Sequence, residues 1–185
     1  MSMRLFVGIA LAPAVIDELS RMTAKLRHAD DGLRWSAPES WHITLQFLGA
    51  SDRNAYECVI ARLGEIHLPP FTVRLDAPGV FERAGVFFVG VHPSPELTAL
   101  ERHVVAATTL CGFTPETRPY HPHITLARTK GRSGNNALRG LKTRLSSAPR
   151  FTPSSVDEFL LYESKPTATG SVYEVRERFR LSSPT

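Results

Sequence analysis

The sequence predicts an α+β fold: a single bilobal domain of two pseudo-symmetric lobes, each an antiparallel-type sheet with outer helices, and an active site in the cleft between them. Three observations predict it. The chain has 185 residues, 42% hydrophobic and 22% charged, which suits one globular domain with a sizeable core. Phe6-Val7-Gly8-Ile9 returns as Phe88-Val89-Gly90-Val91, 82 positions later, and Pro13 returns as Pro95. His42-Ile43-Thr44-Leu45 returns as His123-Ile124-Thr125-Leu126, 81 positions later. One four-residue match is weak. A second, in the same order at almost the same spacing, points to an internal duplication.

The first unit covers about residues 4–49 and the second about 86–128. Each reads as strand, helix, strand. Residues 4–11 and 86–91 are β-prone. Each is followed by a proline suited to the first turn of a helix. The helix over 13–27 carries Val15, Ile16, Leu19, Met22 and Leu26 at helical spacing. The helix over 95–111 carries Leu97, Leu100, Val104, Ala107 and Cys111, with Ser94 as its cap. The two HITL strands follow. The opening run MSMRLFVGIALAPAV has a weak likeness to a signal peptide, but Asp17 and Glu18 follow at once, and the repeat makes it the first strand of a folded unit. No stretch has the apolar length to span a membrane.

The remaining elements fill in around the units. Residues 52–66 read as a helix and 71–81 as one strand. Residues 130–136 form a basic loop, and 137–145 a short helix. Residues 156–163 and 171–181 read as late strands joined by a turn at 165–170. Lysine and arginine exceed aspartate and glutamate by 22 to 18, for a net charge of +4 and a pI near 9.4. That excess fits a phosphate-bearing partner without demanding one. With two cysteines, Cys58 and Cys111, and no CxxC, the expectation is small core filler in a reducing, cytoplasmic setting.

Alternation along a strand gives the repeated word its chemical content. His42 and Thr44 share one face while Ile43 and Leu45 share the other, and His123 and Thr125 do the same against Ile124 and Leu126. One such face is ordinary solvated strand. Two, related by a pseudo-twofold and turned toward each other, gather two imidazoles and two hydroxyls at one place. Displacement at phosphorus needs a base for the nucleophile and an acid for the leaving oxygen, and histidine serves as either near neutral pH. Threonine hydroxyls donate to the non-bridging oxygens.

WHITLQFLG (Trp41 to Gly49) and RPYHPHITLAR (Arg118 to Arg128) resemble the paired motifs of the two-histidine (2H) phosphoesterase superfamily, most closely its RNA 2′,3′-cyclic phosphodiesterase (2′-5′ RNA ligase-like) family. The resemblance covers nearly the whole chain, including the opening strand, Arg34-Trp35 and the closing hairpin. It implies that His42 is the proton donor and His123 the proton acceptor. It implies that Thr44 and Thr125 hold the phosphoryl oxygens, with Arg128 supporting the phosphate. The implied reaction is metal-independent opening of a terminal 2′,3′-cyclic phosphate to a 2′-phosphomonoester, with no cofactor. The partners expected are RNA 3′ ends or nucleoside cyclic phosphates, met by a monomer and no membrane. Cleavage or ATP-independent joining of 2′-5′ linkages, and non-catalytic binding of RNA ends, stand as alternatives.

Other residues carry weaker expectations. Arg34, Arg118, Lys130 and Arg132 are candidates to line the cleft mouth. Tyr120 or Trp35 is a candidate platform for a nucleobase, whereas Trp41 should face the core. Arg128 lies five residues from His123, so a straight strand would point it to the opposite face, unless the strand bends or Arg128 supports the motif from behind. The His121-Pro122-His123 word invites a metal, but His92 and His103 lack the spacing of further ligands, and the chemistry is complete without one.

Overall fold

The computed structural model describes residues 2–131, 134–145 and 149–183. Arg132, one of the expected cleft residues, lies outside them. The first unit opens with β1 (Met3–Ala10) and α1 (Pro13–Leu26), followed by the short β2 (Leu33–Trp35), a 3-10 turn at Pro38–Ser40 and the long β3 (His42–Ser51). Helix α2 (Arg53–Leu63), β4 (Phe71–Val73) and β5 (Leu75–Phe81) lead to the second unit. That unit is β6 (Val86–Val91), α3 (Pro95–Thr109) and β7 (His123–Thr129). Helix α4 (Gly134–Arg144) and strands β8 (Ser154–Val156), β9 (Glu158–Thr167) and β10 (Gly170–Arg180) complete the chain.

Two four-stranded antiparallel sheets result, ordered β10-β9-β1-β3 and β2-β7-β6-β5. In each unit the first and last strands are antiparallel neighbours, β1 with β3 and β6 with β7. The helices take the faces their spacing predicts: Val15, Leu19 and Leu26 of α1 are buried, as are Leu97, Leu100, Val104 and Ala107 of α3. Ser94 caps α3, its hydroxyl accepting from the Leu97 N–H at 3.2 Å, and Asp52 caps α2 through the Ala55 N–H at 2.8 Å. Each satisfies a donor that the helix leaves unpaired.

Four features depart from expectation. The strand over 71–81 is divided at Arg74. Its first part pairs with β8 in a separate two-stranded ribbon, and its second joins β6 with a register shift beside Pro78, which has no N–H to donate. The first late strand runs over 158–167 rather than 156–163, and the hairpin turns within Ala168-Thr169. Strand β2 leaves the unit that contains it and pairs with β7 of the other lobe, tying the two together.

The fourth departure concerns the cysteines. Cys58 and Cys111 are half-buried and joined as a disulfide, not separate core thiols. They stand 53 residues apart with no motif spacing, and only the packing of α2 beside α3 brings them together. Cysteine usage therefore no longer argues for a reducing compartment. No described helix is long and apolar enough to cross a membrane.

Candidate active site

The two HITL strands present their histidines in the same way. The His42 Nδ1 lies 2.8 Å from the Ser40 carbonyl, and the His123 Nδ1 lies 2.7 Å from the His121 carbonyl. A carbonyl only accepts, so each Nδ1 carries the hydrogen and in each neutral ring Nε2 keeps its lone pair as the acceptor. The Thr44 hydroxyl donates to His42 Nε2 at 2.9 Å. Each ring rests on the phenylalanine of the repeated FVG word: Phe6 lies 4.7 Å from His42, and Phe88 lies 5.5 Å from His123, centroid to centroid. Tyr162 and Tyr173 close around His42, while Phe81 meets His123 edge-on. The repeated glycine has a local reason too. A Cβ on Gly8 would stand 2.9 Å from the Ile43 carbonyl and 3.5 Å from the His42 ring.

A β-bulge decides what else reaches the open face. In β7 the pairing with β6 skips Leu126, so Thr125 faces Phe88 while Ala127 faces Phe87. Leu126 and Ala127 are consecutively buried, and Arg128 returns to the side of His123 and Thr125. The bulge removes the parity objection to Arg128. Strand β3 does the same: its pairing with β1 skips Leu45, Leu45 and Gln46 are both buried, and Phe47 comes out beside His42 and Thr44. Phe47 is 71% exposed and lies 5.8 Å from Phe6. It stands 81 positions before Arg128, so the duplicated strand puts an aromatic ring in one lobe where the other has a guanidinium. Sequence reasoning missed Phe47, although the repeat offset marks it.

The lobes meet at these strands. The Tyr120 hydroxyl, just before β7, donates to the Thr44 carbonyl of β3 at 2.8 Å. His42 is close enough to feel the charges of His123 and Arg128. Burial first, then those charges, lower its pKa to about 4 against the opposing bond to Ser40. Burial likewise lowers His123, opposed by the His121 carbonyl and reinforced by the charges of His121 and Arg128. With no anion bound, both imidazoles are neutral at pH 7.

The weaker expectations divide. Tyr120 is a half-buried tie between lobes, and burial pushes its phenol well above the ordinary value, so it offers no open ring to a base. Trp35 faces the core: it stands opposite Ala127, meets buried Phe87 edge-on at 5.9 Å, and its indole donates to Asp31 at 2.8 Å. Trp41 is buried, as alternation predicts. Arg118 is exposed and paired with Glu116 at 3.1 Å. Lys130 is exposed beyond the end of β7. His121 stands exposed against the edges of Phe81 and Phe88, His103 sits on α3 with its Nδ1 on the Ala99 carbonyl, and His92 lies 4.0 Å from Asp76. Among the described residues no group of three or more His, Cys, Asp or Glu side chains is placed to hold a metal ion.

A family model described as the 2′-5′ RNA ligase superfamily matches residues 10–166, which contain both HITL strands. The chain belongs to this superfamily. Superfamily relatives named RNA 2′,3′-cyclic phosphodiesterase include one from Methanothermobacter thermautotrophicus, 29% identical over 98% of this chain and 100% of that one. Another, from Aquifex aeolicus, is 30% identical over 96% of this chain and 97% of its own. Among solved structures, Escherichia coli LigT complexed with 3′-AMP superposes with a TM-score of 0.82 at 26% identity, covering 99% of this chain and 100% of LigT. LigT has also been solved with phosphate. LigT shares the two-sheet α+β fold described above.

Proposed function

We propose that the protein opens the terminal 2′,3′-cyclic phosphate of RNA, or of a nucleotide, to a 2′-phosphomonoester. Water attacks phosphorus and gives its proton to His123 Nε2. The bond from phosphorus to O3′ breaks, and O3′ takes a proton from His42 Nε2. Exchange with solvent then resets the pair. Thr44, Thr125 and Arg128 meet the non-bridging oxygens, where negative charge concentrates. Phe47 offers its open face to the terminal base, the stacking mode suited to an unpaired RNA end.

The observation that carries this reading is the paired presentation of two Nε2 atoms, each pinned through Nδ1, with Arg128 bulged onto the same face. Two imidazoles supply the acid and the base, so the scheme requires no metal. The names of the relatives and the nucleotide and phosphate complexes of LigT support the same reading. In the empty cleft His42 is the harder ring to protonate. Burial is the main cause, and the negative charge of a bound phosphate works against it by favouring the imidazolium that a donor needs. The superfamily's own description favours a second use of the site: an RNA hydroxyl in the place of water would run the same proton transfers toward a 2′-5′ linkage.

Turnover of a nucleoside 2′,3′-cyclic phosphate by metal-stripped protein in excess chelator tests the scheme. Undiminished hydrolysis is expected. Loss on chelation, restored by a divalent ion, would overturn the metal-independent mechanism. Tight binding of a 2′-phosphorylated end without any hydrolysis would favour a binding protein instead.

A further inference from the structure

We infer that Arg34 forms a second phosphate subsite beside Arg128, for the phosphodiester that joins the terminal nucleotide to the rest of an RNA chain. This rests on the function proposed for the same cleft. Strand β2 crosses from the first unit to the second sheet and sets Arg34 directly opposite Arg128, with Leu33 opposite Thr129 and Trp35 opposite Ala127. Leu33 is buried and Trp35 packs on Phe87, so Arg34 takes the outward, exposed face that Arg128 shares with His123 and Thr125.

Like charges directly opposite on antiparallel strands destabilise the pair. Here the repulsion is left uncompensated. Arg53, Arg62, Arg118, Lys165, Arg176 and Arg178 have carboxylate partners, but among the described residues no carboxylate lies within ion-pair distance of Arg34 or Arg128. The neighbouring acid, Asp31, is committed elsewhere. It accepts from the Trp35 indole at 2.8 Å, the Leu33 N–H at 2.9 Å and the His28 N–H at 3.3 Å. Burial works against its charge, yet those bonds hold its pKa below the ordinary value. The same bonds pin β2 on both sides of Arg34, so the guanidinium rises from a fixed base.

Two guanidiniums about one strand spacing apart, roughly 4.8 Å at the backbone, suit an anion with charge in two places. A cyclic phosphate carries one negative charge and occupies Arg128. The next charge along an RNA is the internal phosphodiester on the 5′ side of the terminal ribose. A mononucleotide lacks it.

The test compares kcat/KM for a nucleoside 2′,3′-cyclic phosphate with that for a dinucleotide carrying the same end, in wild type and Arg34→Ala. The dinucleotide should be preferred by about tenfold in wild type, the scale of one charge-assisted contact, and the substitution should bring the ratio close to one. Arg128→Ala should lower both substrates together. A neutral methylphosphonate at the internal linkage should abolish the wild-type preference and leave Arg34→Ala unaffected, a readout that a folding defect does not mimic. A substrate ratio unchanged by Arg34→Ala, whether both rates fall or neither does, overturns the subsite. If wild type turned over neither substrate, the proposed reaction would fail. The subsite would then be judged by calorimetric binding of the mono- and dinucleotide 2′-phosphates, with the same ratio expected.

Discussion

The open faces of the two lobes start from the same four residues and end differently. Both strands carry His-x-Thr, both bulge at the leucine, and both rest the imidazole on the phenylalanine of an FVG strand. One then offers Phe47 and the other Arg128. One ring is closed in by Tyr162 and Tyr173, while the other has exposed His121 as a neighbour. In the function proposed above, duplication supplies two proton carriers and divergence of the third position divides the remaining work, with Arg128 of the second lobe assigned the charge and Phe47 of the first the base.

The largest effect expected is at the shared positions. His42→Ala and His123→Ala should each lower kcat by roughly 10²–10⁴-fold. A phosphodiester with a p-nitrophenolate leaving group needs no proton on departure. It should rescue His42→Ala far more than His123→Ala, and equal rescue would break the assignment of donor and acceptor. Next comes Arg128→Ala, with a loss of about 10²-fold or more in kcat/KM for every cyclic phosphate. Phe47→Ala should cost about tenfold, the scale of one stacked base. The loss should vanish for a cyclic phosphate that has no base, such as ribose 2,3-cyclic phosphate. A loss shared by both substrates would sink the platform role.

The pH profile sharpens the comparison further. Both imidazole pKa values are lowered from 6.5 in the empty site, His42 to about 4. The pair must keep one proton, so kcat/KM, which reports the free protein, should fall as pH rises from below 6.5, and fall again toward about 4. Because the bound anion favours imidazolium, the alkaline limb of kcat should lie at higher pH. A kcat/KM flat to pH 8 would contradict this. The last effect is on stability and not on turnover. His42 binds its proton more weakly folded than unfolded, so stability is complete above 6.5 and is lost as pH falls toward 4. The loss is on the order of 3 kcal/mol and can be read from denaturant melts across that window.

The repeat and the alternation of HITL made the two lobes, the helical faces and the four motif residues legible in sequence, because each is a local pattern. What escaped depends on contacts between distant segments. The disulfide needs α2 and α3 side by side. The placement of Arg34 needs β2 to join the other lobe's sheet. Trp35 looked like a base platform because it precedes the first motif, yet its register against Ala127 turns it inward. Phe47 was hidden, and the face taken by Arg128 left open, by a single extra residue in each strand, because ideal alternation has no means of showing a bulge.

The central claim, two paired histidines driving one displacement at phosphorus, is tested most directly by phosphorus NMR of the product from a nucleoside 2′,3′-cyclic phosphate. Wild type should give the 2′-phosphate alone, and His42→Ala and His123→Ala should each leave the substrate intact over the same time. A 3′-phosphate product, or near-normal conversion by either variant, would contradict it.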